Sequence, residues 1–264
     1  MYHEYPPDIR LQSLVETYWL ADDFIAVEQR QLILPDGCVD IIFNFNNPHR
    51  AEQIALVGTM TSPLEISYRP GQVQMLGIRF APAGITALTR LPVHEITNRR
   101  IELSLAGILF DTAFIEHLQE TESVQLKLKY LNAYLVSRLA KFYTPDRQIQ
   151  AAVSLIKDNT AGLSIKQLAR ACCLGERQLE RRFSAAIGIS PKQFSSVMRF
   201  EYARSYLKAH PSESLQEVAW QCGYYDHSHL FKEFQHLGKI YPSELRNKAK
   251  DATADDNSHK NETF

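Results

Sequence analysis

The amino-acid sequence predicts an α+β protein of two domains: a small β-barrel or jelly-roll-like domain that also carries helices, followed by an all-α domain. In the first part, up to roughly residue 100, short apolar runs alternate with turn residues, which is typical of short strands. From about Ile101 the apolar residues recur at three- and four-residue steps, which indicates helices. A segment of the second half is also repeated, and 264 residues are enough to bury two cores.

The predicted strands lie beside turns. Residues 31–34 and 39–45 are β-rich runs on either side of a Pro-Asp-Gly turn, and Val73 to Phe80 follows an Arg-Pro-Gly turn. Residues 81–84 then precede a short helical stretch. This alternation predicts the barrel-like domain without specifying its strand order.

A helix is predicted from Leu126 to Tyr143. Its apolar face consists of Leu126, Tyr130, Leu131, Tyr134, Leu135 and Leu139. This face could pair with its copy in a second subunit or pack on its own domain. Thr144-Pro145 resembles a helix cap followed by proline at the first helical position. We therefore expect domains at residues 1–143 and 144–248, followed by a disordered polar tail at 249–264.

The charge is unevenly distributed along the chain. The formal net charge is only −1, which argues against a uniformly basic nucleic-acid binder. However, residues 147–248 carry 15 Lys and Arg against 9 Asp and Glu, whereas residues 1–146 carry 12 against 17. We therefore expect the second domain to meet phosphates and the first not to.

The sequence offers no catalytic, metal or cofactor motif. The cysteines show no metal-ligand or disulfide spacing and are expected to be reduced cytoplasmic thiols: Cys38, Cys172, Cys173 and Cys222. No signal peptide, spanning apolar run, nucleophile elbow, P-loop or HExxH is found. We accordingly name no catalytic residue, metal ligand or cofactor, and expect no membrane association.

The internal repeat defines two helix-turn-helix units. Ser-Ile-Lys-Gln-Leu-Ala-Arg-Ala-Cys-Cys-Leu begins at Ser164, and Ser-Leu-Gln-Glu-Val-Ala-Trp-Gln-Cys-Gly-Tyr begins fifty residues later at Ser214. Each serine is a natural N-cap, and Ala169 and Ala219 allow a second helix to cross closely. The second helices are predicted at about residues 175–186 and 226–237, the latter capped by Asp226.

Each second helix has an inner and an outer face. Leu179, Phe183 and Ile187 step by four in the first copy and should be buried, as should Leu230 and Phe234 in the second. The outward residues are Arg177, Glu180, Arg181, Ser184, His227, Ser228, Phe231 and Lys232. A helix in the major groove presents such side chains to base edges, although a plain solvated face has the same pattern.

A long helix, Pro191 to about His210, joins the two units. Its predicted inner residues are Phe194, Val197, Met198, Tyr202 and Leu207. It would hold the two recognition helices about one DNA turn, roughly 34 Å, apart.

Residues 145–248 resemble the DNA-binding domain of AraC/XylS-type regulators over essentially its full length. The resemblance rests on the double unit, on Gly-Ile-Ser-Pro at 188–191 and on Gly-Tyr-Tyr-Asp-His-Ser-His-Leu-Phe-Lys-Glu-Phe at 223–234. It implies that the outward residues above, except Ser184, stand at base-reading positions. Lys232 and Glu233 replace the family's usual arginine and small residue, which implies weaker base contacts. The interval Gly238 to Pro242 is also one residue longer than its counterpart in the first unit.

Motifs at residues 35–45 and 77–84 resemble a front domain of some AraC-type regulators. In better-understood relatives a β-barrel front domain binds a small effector and an adjoining helix dimerises. In this sequence the candidate effector residues at a barrel mouth are Asp36, Asp40, Asn44 and Arg79. Alternatively, Asp36 belongs only to a turn and Asn44 only ends a strand.

The sequence thus predicts a sequence-specific, DNA-binding transcription regulator in the cytoplasm. The expected partners are duplex DNA, a small-molecule effector, a second copy of the chain and RNA polymerase. An enzyme with an appended DNA-binding module and a purely architectural DNA binder are the alternatives.

Overall fold

The computed structural model describes residues 2–46, 54–89, 92–102, 109–142, 146–159 and 162–247. The expected domain boundary at residues 143–144 and the polar tail at 249–264 lie outside these residues. No helix in the described parts is long and apolar enough to cross a membrane.

The front domain contains an antiparallel sheet of six strands and a separate two-stranded ribbon. The strands are β1 Tyr2–Tyr5, β2 Val15–Ile25, β3 Gln29–Ile33, β4 Val39–Asn44, β5 Ile54–Val57, β6 Leu64–Tyr68, β7 Gly71–Phe80 and β8 Arg100–Glu102. The sheet has the order β1-β2-β7-β4-β5-β8, and the ribbon pairs β3 with β6. The three predicted runs are confirmed as β3, β4 and β7.

The longest strand, β2, was not predicted. Its segment Tyr18-Trp19-Leu20 is apolar on both faces, so it lacks the alternation that marks a half-buried strand. Both faces are covered because Tyr18 and Leu20 point into the core, whereas Trp19 lines a cavity on the other side of the sheet.

Side-chain alternation divides the two faces of the sheet. On β4, Val39, Ile41 and Phe43 join the core, and Asp40, Ile42 and Asn44 face the opposite way, towards the ribbon. Helices α1 Thr112–Glu120 and α2 Val124–Phe142 cover the core face. The other face is thereby left to form a cavity with the ribbon.

Helix α2 packs on its own domain. Leu131 and Leu135 are fully buried as predicted, but Leu126 is 57% exposed, so its assignment to the apolar face was wrong. Lys127 takes the inner place instead: its Nζ donates to the Leu118 carbonyl at 2.5 Å and lies 4.1 Å from the Phe45 ring centroid. A long alkyl stem with a satisfied ammonium can be buried where periodicity predicts polar exposure.

The second domain is entirely helical in its described part. Its helices are α3 Arg147–Asp158, α4 Ile165–Ala171, α5 Glu176–Ile187, α6 Pro191–Ala209, α7 Leu215–Gln221 and α8 His227–Gly238. Ser164, Ser190 and Ser214 each form a capping box with the residue three places later, and Asp226 caps α8, as its sequence predicted.

The cap of α3 was predicted wrongly. The helix begins at Arg147 and is capped by Asp146, not by Thr144 with Pro145 in the first turn. The Asp146 carboxylate accepts from the Ile149 amide and also binds Arg182 of α5, so a tertiary ion pair adds to the local cap. Thr144 and Pro145 themselves are outside the described residues.

Helix α6 has contacts on both sides. The predicted burial of Phe194, Val197 and Leu207 is confirmed, and Met198 is partly buried. Tyr202, however, is 38% exposed, and Phe200 is buried instead. Phe200 is turned inwards because α6 packs against the second unit, where its ring lies 4.9 Å from that of Phe234.

The second unit is one residue longer at its end because α8 includes its glycine, whereas α5 ends before the corresponding glycine. In the first unit Gly188 is the left-handed C-cap, with φ 96°. In the second unit Gly238 is still helical and Lys239 takes the left-handed position, with φ 49°. A Cβ on Gly238 would lie 2.9 Å from Phe200 Cζ, so this glycine serves close packing and the cap falls on a lysine.

Lys239→Gly is expected to stabilise the protein by about 1 kcal/mol, because a left-handed conformation costs an L-residue roughly that much. Urea unfolding of the full chain measures the change. Lys239→Ala, which keeps the Cβ, is the matched control and should bring no such gain; an equal gain would show that the lysine side chain, not the backbone, is responsible.

Candidate nucleic-acid interface and front-domain cavity

The first helix-turn-helix unit is formed by α4 and α5. Leu179, Phe183 and Ile187 are buried as predicted. Of the predicted outward residues, Arg177, Glu180 and Arg181 are exposed and Ser184 is half-buried. Lys166 and Arg170 on α4 are exposed as well, so this unit has a basic surface.

Arg182, next in sequence to Arg181, has a different role. It binds Asp146 through two nitrogens, at 2.5 and 3.1 Å, and donates to Gln148 Oε1 at 2.7 Å. This arginine therefore joins α5 to α3, and the exposed positive charges of α5 are Arg177 and Arg181.

The second unit is formed by α7 and α8. Leu230 and Phe234 are buried, and all four predicted outward residues are exposed: His227, Ser228, Phe231 and Lys232. His227 Nδ1 lies 3.0 Å from Gln216 Oε1 on α7. On this outward face Lys232 is the one full positive charge, so the face is less basic than that of the first unit.

Glu233 does not belong to the outward face of α8. It is buried and forms a two-point ion pair with Arg199 of α6, at 2.8 and 3.0 Å. The Arg199 guanidinium also lies 4.9 Å from the Tyr224 ring centroid. The inference that Glu233 weakens base contacts is thus corrected, because its charge is directed into the domain and neutralised there.

Sequence reasoning missed an aromatic surface on the second unit. Besides Phe231, three large side chains are exposed there: Trp220 at 63%, Tyr225 at 87% and Tyr241 at 46%. The internal repeat could have predicted the exposure of Trp220, because Trp220 aligns with Arg170 of the first copy, which is exposed.

The front domain binds the end of the first recognition helix. The hydroxyl of Thr59 donates to the Ile187 carbonyl at 2.5 Å, and that of Thr97 donates to the Gly188 carbonyl at 2.6 Å. These carbonyls belong to the last turn of α5, where a helix lacks internal donors. The front domain therefore caps the C-terminus of α5 from outside.

A second contact joins the Pro-Asp-Gly turn to α6. Gly37 has φ 78°, and a Cβ there would lie 2.6 Å from Phe194 Cε2. Asp36, its neighbour, accepts from the Cys38 amide at 2.9 Å and forms an ion pair with Arg79. The turn predicted from sequence is thus also a point of contact between the domains.

The front-domain cavity has a volume of about 540 Å³ and lies between the sheet and the ribbon. Three of the four candidate effector residues, Asp40, Asn44 and Arg79, line it. Asp36 approaches Arg79 from the turn: Arg79 Nε is 3.4 Å from both Asp36 Oδ2 and Asp40 Oδ1. Arg79 Nη1 is also 4.0 Å from Glu4 Oε1.

At this end of the cavity the charged side chains of Asp40 and Arg79 are largely buried, and burial shifts their pKa values. Burial raises the pKa of Asp40 to about 7, against the lowering effect of Arg79, and the carboxylates of Asp36 and Glu16 raise it further. The pKa of Arg79 is raised by its carboxylate neighbours, although burial opposes this. Within the described residues Asp40 Oδ1 accepts no hydrogen bond of good geometry.

Aromatic side chains form part of the cavity wall. The indole of Trp19 lies directly over Gly77, where any Cβ would collide with the ring. Tyr2 stacks on Trp19 with ring centroids 6.0 Å apart, and Tyr68 of the ribbon lines the wall as well.

Cys38 is a buried structural thiol. Its Sγ donates to Glu16 Oε2 at 3.1 Å, and burial, reinforced by Asp36 and Glu16, raises its pKa well above the usual value. Cys38 therefore stays in its protonated thiol form, which is a poor nucleophile. Across the described part of the chain, no group of three or more His, Cys, Asp or Glu is placed to hold a metal ion.

Two family models match the chain. One, described as a helix-turn-helix domain, matches residues 146–248. The other, described as a domain of unknown function (DUF6597), matches residues 3–102.

Curated relatives are transcription regulators. An uncharacterised HTH-type transcriptional regulator of Haemophilus influenzae is 20% identical over 156 residues, which are 59% of this chain and 52% of that protein. The HTH-type transcriptional regulator ArgR of Pseudomonas aeruginosa is 26% identical over 152 residues, 57% of this chain and 43% of that protein. The chain spans about half the length of the curated relatives it matches.

Solved structures also show similarity. A regulator of the AraC-type DNA-binding-domain class from Chromobacterium violaceum is 28% identical, covering 39% of this chain and 92% of that chain with a TM-score of 0.37. ToxT from Vibrio cholerae is 13% identical, covering 94% of this chain and 97% of that chain with a TM-score of 0.42.

Proposed function

We propose that this chain, a member of the AraC/XylS-type family through its double helix-turn-helix domain, is a sequence-specific DNA-binding transcription regulator that responds to a small effector held in its front domain. The observation that carries the proposal is the pair of capped helix-turn-helix units, in each of which the second helix has a buried apolar face and an outward face exposed to solvent. Two such helices joined by α6 are suited to successive major grooves on one side of a duplex.

The eight outward residues of α5 and α8 are the proposed DNA-contacting set. Arginine reads guanine through two hydrogen bonds, so Arg177 and Arg181 make the first unit the stronger reader of sequence. The second unit, with Lys232 and exposed aromatic side chains, contributes more to positioning the protein on the duplex than to reading its bases. Phosphate contacts from the basic domain supply affinity, and base contacts supply specificity.

The contact between the domains offers a route from effector to DNA. Val57 and Arg100 line the cavity. Thr59 lies two residues after Val57 and Thr97 lies three residues before Arg100, and both threonines cap α5. At the other contact Asp36 forms an ion pair with Arg79 of the cavity, and its neighbour Gly37 packs on α6. A ligand that moves the cavity wall would therefore change how α5 and α6 are held, which shifts the population of DNA-binding states.

The remaining parts of the proposal concern assembly and chemistry. Residues 1–143 act as the sensory and dimerisation domain and residues 144–248 as the DNA-binding domain. The regulator works in the cytoplasm as a homodimer and contacts RNA polymerase. DNA and effector are bound and not converted, so no residue has a catalytic role.

Selection of bound sequences from a random duplex pool with the full chain tests the proposal. We expect a recovered motif and an affinity for it that falls steeply with added salt, because phosphate binding releases counterions. The motif length shows whether one or both units read bases. Recovery of no motif would favour an architectural binder, and a flat salt response would contradict phosphate binding altogether.

A further inference from the structure

We infer that the effector is an organic cation, an ammonium or amidinium group on an apolar body, whose charged end lies against Asp40 in the front-domain cavity. This inference rests on the proposed function only in calling the ligand an effector. The cavity, its carboxylates and its aromatic wall exist independently of DNA binding.

The charges around Asp40 carry the first step. Arg79 is the positive charge in direct contact with Asp40, and the carboxylates of Asp36, Asp40 and Glu4 lie 3.4 to 4.0 Å from its nitrogens. Glu16 adds to the negative potential felt by Asp40. Three carboxylates thus surround the single guanidinium that contacts Asp40, and this excess of negative charge favours a further cation beside them.

Access to Asp40 carries the second step. The Asp40 side chain is 16% exposed and belongs to the cavity wall, so a ligand in the cavity can reach it. Asp40 Oδ1 also accepts no well-aligned hydrogen bond within the described residues, but it is covered in this structure, so an ammonium or amidinium N–H reaches it only when a neighbouring side chain shifts.

The apolar and aromatic wall carries the third step. Tyr2, Trp19 and Tyr68 line the same cavity, together with Ile42, Leu64, Ile66 and Met75. Aromatic faces attract cations, and aliphatic side chains take up an apolar body. A cavity of about 540 Å³ can hold a drug-sized molecule.

An anionic ligand fits less well. Its carboxylate would have to share Arg79 with carboxylates already 3.4 Å from Nε. The other arginines of the wall, Arg69 and Arg100, are exposed, so solvent weakens their attraction for an anion.

Calorimetric titration of the full chain with matched probes tests the inference. The probes are 3-phenylpropylamine, 3-phenylpropanol and 3-phenylpropanoate, and tryptamine, tryptophol and indole-3-propionate. Within each body we expect the amine to bind at least about tenfold more tightly than the alcohol, and the carboxylate to bind most weakly. Asp40→Asn should remove the preference for the amine and leave the affinity for the alcohol unchanged.

Glu65→Gln is the matched control, because it removes a carboxylate that pairs with Arg30 on the ribbon and is 52% exposed. This variant should keep the preference for the amine. Amines that bind no better than alcohols overturn the inference, as does an Asp40→Asn protein that keeps the preference. The head-group comparison on the unaltered chain decides the matter even if Asp40→Asn does not fold.

DNA binding by the same preparation separates the two proposals. Specific DNA binding without a preference for amines refutes the cationic effector and leaves the regulator standing. A preference for amines without any DNA binding refutes the regulator and leaves the ligand class standing.

Discussion

Arg181→Ala is expected to weaken binding to the selected duplex by about 1–3 kcal/mol, roughly tenfold to a hundredfold, with a much smaller loss on random DNA. The reason is the exposed position of Arg181 on the outward face of α5, where its guanidinium can reach a base edge. Fluorescence anisotropy with both duplexes at one salt concentration measures the ratio of affinities.

Arg182→Ala is the matched control for this prediction. The neighbouring arginine is bound to Asp146 and Gln148, so its loss should lower the stability of the domain and leave the ratio of specific to random affinity unchanged. If Arg181→Ala weakened binding to both duplexes equally, Arg181 would be a phosphate contact and the specificity of the first unit would have to come from other residues.

Gly188→Ala is expected to destabilise the full chain more than Gly162→Ala does. Both glycines have φ 96°, so an alanine at either position carries the same left-handed strain of about 1–2 kcal/mol. At Gly162 the added Cβ meets nothing within 4 Å. At Gly188 it would lie 2.8 Å from Thr97 Oγ1, in the contact between the domains. We expect a further loss of about 1–3 kcal/mol there, because the hydrogen bond to the α5 terminus is disturbed.

Urea unfolding of both variants measures the difference. Thr97→Val provides a check without an added atom: it removes the hydroxyl donor and should reproduce part of the extra loss of Gly188→Ala. Equal stability losses at Gly162 and Gly188 would mean that the front domain does not hold α5 through this contact. The proposed route from the cavity to the recognition helix would then lose its main support.

The second domain was largely predictable, because its signals are local. The serine caps of α4 and α7 and the buried faces of α5 and α8 depend on residues three or four positions apart, which one helix brings together by itself. The errors arose where a distant partner decides. Glu233 is turned inwards by Arg199, and Asp146 caps α3 while it binds Arg182 of another helix.

The front domain was less predictable for the same physical reason. Strand pairing joins residues far apart in sequence, as where Trp19 of β2 lies opposite Gly77 of β7. Three of its strands could be named from their apolar runs, but neither the sheet order nor the two-sided burial of β2 follows from local alternation. The candidate residues Asp40, Asn44 and Arg79 were named from sequence, and only the folded sheet brings them to one cavity.

The sequence by itself thus determined the two helix-turn-helix units, their caps and their outward faces, because each follows from the short-range geometry of a helix. Only the tertiary structure decided which charged side chains turn away from those faces into ion pairs. It also decided how the front domain caps α5 and where the carboxylates around Arg79 lie relative to the aromatic wall of the cavity. Those features depend on pairs of side chains far apart in the chain, whose energies exist only once the fold has brought them into contact.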